Sequence, residues 1–440
     1  MSTVMAREDR LLRHGGEAKI RGAPLLVVRI AEIEGRGRAV VASEPLRAGQ
    51  IVIRDSPILL YSALPLTILP PPHQPQQQHY HNLYCSNCFR ILQKPSIPTL
   101  VSCSSCSSAL FCGSNCRSVA LSSSHTPWVC QALTRLRDCP SPLQLHHHRD
   151  RQVQARFLVA AYNLALVSPS DFQTLLSLQG DCSSTAQPEE AALFLHFLIS
   201  SLCPPLPSQN STGFGFSLEL TASLLAKDKL NAFGLMEPFS EDTQRSVRAY
   251  GIYPKACFFN HDCLPNACRF DYVDADSATQ HNTDIIVRVI HDVPQGREIC
   301  LSYFPVNLKY SDRQRRLRDD YGFTCQCDRC KVEANWSDEE DLGDDSNSDE
   351  EKDEELMDED LDEHMDMADS ATEDCSVVNR DDDFPHAYFF LRYMCNGNNC
   401  WGTLAPLPPS GVTPSSAMEC NVCGNLKYYK ELMDGDALHQ

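Results

Sequence analysis

The chain of 440 residues lacks a long apolar run, and residues 1–16 lack the apolar core of a secretory signal. No stretch reaches the roughly 18 to 20 apolar residues that a membrane span requires. Without a route to an oxidising compartment, the 22 cysteines are expected to bind zinc rather than to form disulfides. We therefore expect a protein of the nucleus or cytoplasm, neither secreted nor anchored by a transmembrane segment.

One segment, Asp338 to Asp383, has no aromatic residue and almost no basic one. Its 24 Asp and Glu residues face only Lys352 and Arg380, so its local charge is −22. The whole chain carries −20, which leaves the remainder near neutral at +2. Such a segment cannot bury enough apolar surface to offset ordering, and we expect a disordered acidic loop over residues 336–384. It could attract basic substrates or serve only as a solubilising linker.

The length of 440 residues predicts two or three domains, and the spacing of apolar residues predicts both strands and helices, an α+β chain. Short β-branched runs bounded by glycines predict strands between Pro24 and Leu60. Apolar residues recur at three- and four-residue spacing between Gln152 and Ala226, which predicts helices. Strand-like runs return at Ile285–Ile290 and Ile299–Leu301, and a helix is predicted over Ser311–Leu317.

Cysteine spacing predicts several closed zinc sites. Between residues 85 and 130, three cysteine pairs and one His-Cys pair supply eight ligands, enough for two tetrahedral sites. A later triplet supplies three thiolates and needs a distant fourth ligand, for which Cys263 is the candidate. A last set has four cysteines of its own. The predicted ligands are Cys85, Cys88, Cys103, Cys106, Cys112, Cys116, His125 and Cys130, then Cys263, Cys325, Cys327 and Cys330, then Cys395, Cys400, Cys420 and Cys423.

Motif order then points to a family. Gly35-Arg36-Gly37 lies in the strand region, the cysteine-dense stretch follows, and later come Asn260-His261-Asp262-Cys263-Leu264-Pro265-Asn266 and Ser302-Tyr303. Together with the C-x-C-x-x-C triplet, this order resembles SMYD-type (SET and MYND) protein-lysine methyltransferases and the related plant SET-domain group (ASH-related) proteins. The resemblance covers roughly residues 24–330, and the run Gly251–Asn266 is its most specific part.

The resemblance implies an S-adenosylmethionine-dependent enzyme that methylates lysine, with Tyr303 as the catalytic residue. The implied cofactor-binding residues are Gly35, Arg36, Gly37, Asn231, Asn260, His261, Tyr303 and Phe323, with His261 acting largely through its backbone. It also implies about four structural zinc ions. Within the finger, the first and third pairs share one zinc, and the second and fourth share the other.

The implied architecture is a SET β-fold split by a MYND zinc finger and a helical insert. The expected boundaries are 24–63 for the first part of SET, 85–130 for the MYND finger, 131–228 for the helical insert, 229–304 for the second part of SET, 305–335 for the post-SET zinc segment, 336–384 for the acidic loop, and 385–430 for a unit resembling a zinc ribbon.

A histone is the leading expected substrate, and proline-rich peptides are the partners that a MYND finger implies. We expect neither direct nucleic-acid readout nor membrane binding. Two alternatives remain open: an adaptor whose SET core is inactive, and a methyltransferase for a non-histone protein. Asp262 stands where the family usually has serine, and the helical repeat domain of many members is replaced by the acidic segment and the last cysteine set.

Overall fold

The computed structural model describes residues 27–66, 84–92, 100–139, 149–180, 190–206, 215–241, 245–272, 274, 282–335, 387–409 and 415–428. The predicted acidic loop, 336–384, lies outside the described residues. No helix in these ranges is both long enough and apolar enough to cross a bilayer.

The described strands form several small sheets instead of one continuous sheet. The strands are β1 Val28–Ile33, β2 Gly37–Ala42, β3 Ile51–Asp55, β4 Leu59–Ser62, β5 Val101–Ser102, β6 Leu110–Phe111, β7 Ala232–Met236, β8 Val247–Ile252, β9 Asn260–His261, β10 Ala267–Phe270, β11 Ile285–Val289, β12 Cys300–Leu301, β13 Leu404–Pro406, β14 Ala417–Cys420 and β15 Leu426–Tyr428. One sheet has the order β10-β11-β3, another the order β4-β8-β7, and a third, β13-β14-β15, lies near the carboxyl end.

Helices occupy the middle of the chain and the region after β12. They are α1 Ser114–Ser122, α2 Pro127–Arg137, α3 Arg149–Val167, α4 Pro169–Leu176, α5 Glu190–Leu202, α6 Leu218–Asn231, α7 Tyr310–Tyr321, α8 Asp328–Glu333 and α9 Ala387–Tyr393, with a 3-10 turn at Ala256–Phe258. Local chemistry sets several of these ends. Thr126 accepts the N–H of Val129 ahead of Pro127, and Gly322 ends α7 with φ of 76°.

The main core lies where α3 packs against β4 and the neighbouring helices. Phe157, Leu158 and Ala161 on α3 have no exposed surface, as their three- and four-residue spacing predicts. Burying a leucine or phenylalanine side chain stabilises a fold by about 1.5–3 kcal/mol. The mixture of helices and small sheets confirms the predicted α+β class.

The carboxyl-terminal unit packs on the β10-β11-β3 sheet through a second core. Arg288 of β11 pairs with Glu419 of β14 at 2.8 Å, and its guanidinium lies 3.7 Å from the centre of the Phe270 ring. A Cβ at Gly49 would lie 2.4 Å from the carbonyl oxygen of Leu407. A glycine is therefore required where the two units meet.

Candidate active site and metal centres

The motif Asn260–Asn266, called the Asn-His turn below, lies against the strand that precedes Tyr303. Strand β9 is only Asn260 and His261, and it pairs in parallel with β12. Asn266 bridges back to the same strand region, since its amide nitrogen donates to the carbonyl of Glu298 and its amide oxygen accepts the N–H of Cys300, each at 2.8 Å. The motif is thus fixed to β12 and the residues before it by backbone pairing at Asn260 and His261 and by the side chain of Asn266.

Tyr303 follows β12 directly and is held at both ends by the Asn-His turn. Its backbone N–H donates to Nδ1 of His261 at 3.1 Å, and its hydroxyl donates to the carbonyl of Phe259 at 3.0 Å. Burial raises the pKa of Tyr303, so the phenol is neutral at physiological pH. Because its proton is donated to a backbone oxygen, the lone pairs of the hydroxyl are left to accept a hydrogen bond.

The glycine turn connects β1 to β2. Gly35 and Gly37 have φ of 72° and 69°, a conformation that favours glycine. A Cβ at either position would meet no atom within 4 Å, so the turn faces open space. This leaves room for a ligand to approach the backbone.

Arg36 ties the glycine turn to the Asn-His turn. Its guanidinium donates to the carbonyl of His261 at 3.0 Å and pairs with Glu298 at 2.9 Å. The side-chain amide of Asn260 donates to the same carboxylate, also at 2.9 Å. Three segments far apart in sequence therefore meet around one glutamate.

Asn231 and Phe323 lie in different settings. Asn231 is buried at the end of α6, and its amide nitrogen donates to the carbonyls of Gln179 and Lys227. Both amide hydrogens are thus used, and only the side-chain oxygen is left for a ligand. Phe323 is 39% exposed just after the left-handed Gly322, which suits a ring that stacks on a ligand.

The structure brings Cys263 together with Cys325, Cys327 and Cys330, and their ligand atoms all lie within 4.8 Å of one another. Sγ of Cys263 lies 3.5 Å from that of Cys330 and 4.0 Å from that of Cys325. Four thiolates bound tetrahedrally at about 2.3 Å from zinc would be spaced about 3.8 Å apart. The geometry therefore fits the metal.

Arg313 of α7 complements the negative charge that such a cluster carries. Its Nε donates to Sγ of Cys263 at 3.2 Å, and its Nη2 lies 3.7 Å from Sγ of Cys330. The same guanidinium pairs with the buried Glu333. A fully buried arginine directed at two sulfurs supports their thiolate form.

The other three cysteine sets also lie together, and two of them have the pairing that the family resemblance implies. Within each set the ligand atoms lie within 4.8 Å of one another. Cys106 Sγ lies 3.5 Å from Nε2 of His125, and burial lowers the pKa of this imidazole, as a ligand requires. The sets are Cys85, Cys88, Cys112 and Cys116; Cys103, Cys106, His125 and Cys130; and Cys395, Cys400, Cys420 and Cys423.

Sequence reasoning missed three neighbours of the site. The centre of the Tyr321 ring lies 4.8 Å from that of Tyr303. Its position four residues before Cys325 is the sequence feature that could have placed it near the site. Glu298 and Arg313 gave no signal, because their partners lie far away in the sequence.

Comparison with known proteins defines the class. The family model for the SET domain matches residues 37–304, more than half of the chain, and the chain therefore belongs to the SET-domain family. It is 54% identical over 415 residues to "Histone-lysine N-methyltransferase ASHR2" of Arabidopsis thaliana, covering 92% of this chain and 96% of that protein.

More distant relatives carry the SMYD name. The chain is 22% identical over 319 residues to "Histone-lysine N-methyltransferase SMYD3" of Homo sapiens, covering 70% of this chain and 62% of that protein. It also matches the crystal structure of the SET domain of LSMT bound to lysine and AdoHcy, with a TM-score of 0.31, 12% identity, and coverage of 69% of this chain and 54% of that one.

Proposed function

We propose that this protein is an S-adenosylmethionine-dependent protein-lysine N-methyltransferase whose substrate is a histone. The observation that carries the proposal is the setting of Tyr303, a neutral phenol with free lone pairs beside the joined glycine and Asn-His turns. Membership of the SET family and 54% identity to a plant histone-lysine methyltransferase support it.

The residues around the turns fit the cofactor. Gly35 and Gly37 would leave space for its amino-carboxylate end, Asn260 and the backbone of His261 would hold the adjoining part, and the exposed ring of Phe323 would stack on adenine. Arg36 joins the two turns, and Asn231 contributes through its oxygen. When bound, the cofactor supplies a methyl group that its sulfonium makes electrophilic.

The chain contributes orientation and a setting that favours the neutral amine. A lysine amine has a pKa near 10.4 and must be neutral to attack. Burial of the amine beside the contacting rings of Tyr303 and Tyr321 would disfavour its ammonium form. The hydroxyl oxygen of Tyr303, whose proton is committed to Phe259, would accept an N–H of the amine and aim its lone pair.

The four cysteine clusters are proposed as structural zinc sites, with two in a MYND finger, one in a post-SET segment and one in a ribbon-like carboxyl-terminal unit. Sulfur spacings of 3.4–4.0 Å between neighbouring cysteines support this assignment. The proposed partners of the finger are proline-rich peptides, and a histone substrate implies a nuclear location.

The test is transfer of a radiolabelled methyl group from S-adenosylmethionine to a panel of core histones and to whole-cell extract. Label on a histone lysine is the expected result. Label only on other extract proteins would replace the histone with a non-histone substrate. Cofactor binding without any transfer would leave the adaptor with an inactive core.

A further inference from the structure

The side chain of His261 contacts the thiolate cluster on one side and Tyr303 on the other. Its imidazole is only 2% exposed and both of its nitrogens are engaged. Nε2 lies 3.2 Å from Sγ of Cys263, and Nδ1 lies 3.1 Å from the backbone nitrogen of Tyr303. One ring thus spans the distance between a proposed zinc ligand and the proposed catalytic residue.

The hydrogen bonds fix which nitrogen carries the proton. A backbone amide can only donate, so Nδ1 of His261 must be the acceptor for Tyr303. A neutral imidazole has a single N–H, which then lies on Nε2 and points to the sulfur of Cys263. Cys263 also receives the Nε–H of Arg313, so its sulfur is the acceptor for two donors.

The contact replaces a strand hydrogen bond that the backbone does not supply. The β9–β12 pairing ends at Leu301, two residues before Tyr303. Beyond that point, the Tyr303 N–H is met by the imidazole and its hydroxyl by the carbonyl of Phe259. Both ends of the tyrosine are therefore fixed by residues 259–261, and the imidazole in turn is fixed by Cys263.

We propose that the His261 side chain is a positioning residue that makes the orientation of Tyr303 depend on the ordered post-SET cluster. This role is separate from that of the His261 backbone, whose carbonyl accepts from Arg36. The inference rests on the proposed function for its effect on turnover, but the hydrogen bonds themselves can be tested without it.

Three variants separate the two contacts. His261→Asn places an oxygen where Nδ1 lies, so it keeps an acceptor for the Tyr303 N–H. His261→Gln places an amide where Nε2 lies, so it keeps a donor for Cys263. His261→Leu removes both contacts at similar size. His196, which is half-buried on α5 and contacts Thr221, provides matched Asn, Gln and Leu controls.

The first measurement is amide hydrogen exchange of the peptide containing Tyr303, with zinc content determined in the same samples. Loss of one hydrogen bond should speed exchange of this amide about tenfold in the Leu and Gln variants and leave it within about threefold in the Asn variant. If the Tyr303 amide exchanges at the same rate in all three variants while zinc is retained, the proposal is wrong, whatever the activity of the protein.

The second measurement is turnover and cofactor affinity. We expect kcat to fall about 10- to 100-fold in the Leu variant, with cofactor Kd within about threefold and partial recovery in the Asn variant. A purely structural histidine would lower the melting temperature in all three variants and leave kcat per folded molecule unchanged, which would refute the positioning role. A wild-type protein that transfers no methyl group would refute the proposed function alone, since the exchange result stands by itself.

Discussion

At the scale of single residues, the Tyr303 hydroxyl can be removed without disturbing its ring contacts. Tyr303→Phe should lower kcat by about 10²-fold or more, because the oxygen that orients the amine is lost. Cofactor affinity should stay within about threefold, since the Phe259 carbonyl and the two turns remain. Radiolabelled transfer and calorimetric cofactor binding measure the two quantities.

The matched control is Tyr250→Phe. Tyr250 lies on β8 and stacks on Tyr61, away from the Asn-His turn, so its variant should keep full turnover. A Tyr303→Phe enzyme that works within about threefold of wild type would remove Tyr303 from the catalytic role.

Cys263 tests the link between metal and site at the same scale. Cys263→Ser should release one of the proposed zinc ions and weaken cofactor binding, because the residue joins the Asn-His turn to the post-SET cluster. Atomic emission spectroscopy measures the zinc content per protein molecule. Cys268→Ser is the control, a buried cysteine outside the four clusters, whose zinc content should match the wild type. Unchanged zinc in the Cys263 variant would assign the fourth ligand elsewhere.

At the scale of an element, Asp55 holds the start of the 3-10 turn that leads into the site. Its carboxylate accepts the N–H groups of Lys255 and Ala256 at 2.8 and 2.9 Å, and burial raises its pKa to about 6. The unfolded chain has an aspartate pKa near 3.9, so between about pH 4 and 6 the folded state binds the extra proton. The contribution of this group to stability is therefore present below pH 4 and lost as pH rises through 6.

Asp55→Asn keeps an acceptor oxygen and removes the titration. From pH 4 to 6, the free energy of unfolding of the wild type should fall relative to that of the variant by at most about 1.4 kcal/mol per pH unit. Above pH 6 the difference should be constant. Denaturant unfolding at several pH values measures it, and protonation of zinc ligands affects both proteins alike. A difference that is independent of pH would contradict the raised pKa.

The proposed zinc finger and the SET core share buried hydrogen bonds, so we do not expect them to be separable elements. Arg248 of β8 is completely buried and donates to the carbonyl of Phe89, while Asn282 donates to that of Cys88. Cys85→Ser with Cys88→Ser should therefore lower the free energy of unfolding by about 1.5–3 kcal/mol, because the buried Arg248 guanidinium loses the Phe89 carbonyl as an acceptor while keeping its ion pair with Asp274. Thermal unfolding of the core measures it.

Replacing Cys103 and Cys106 by serine is the matched comparison, since it removes the other proposed zinc of the same finger. We expect a smaller loss of stability there. Equal losses for the two double variants, or none for either, would mean that the Arg248 contact does not couple the finger to the core.

Local patterns made most of the elements and all four cysteine sets predictable. Helical spacing predicted α3 and α5, and closely spaced Cys and His pairs predicted most of the proposed metal ligands, because each pattern is contained within a few residues. The pairing of Arg36 with Glu298 spans 262 residues, and a single sequence carries no trace of it. The two hydrogen bonds that the Asn231 amide donates could not be predicted either, since their acceptors are backbone carbonyls.

At the scale of the whole molecule, the acidic run follows the Cys325–Cys330 segment closely in the sequence. The described chain ends at residue 335, shortly after Cys330, and resumes at 387. Deleting residues 338–383 should raise the histone KM severalfold at low salt and have little effect at high salt, because exposed charges are screened beyond about 8–10 Å. Steady-state kinetics at the two salt concentrations decide it. Unchanged KM at both would leave the run as a linker.

The distance in sequence between Cys263 and its partners has a consequence for synthesis. Cys325 and Cys330 follow it by 62 and 67 residues, so a growing chain presents Cys263 to the cell long before its cluster can close. Domains fold as they leave the ribosome, yet here His261 and Tyr303 must wait for a segment made later. The site can therefore be ordered only after Cys330 has been made, and a chain truncated before Cys330 would lack the ligands that fix its centre.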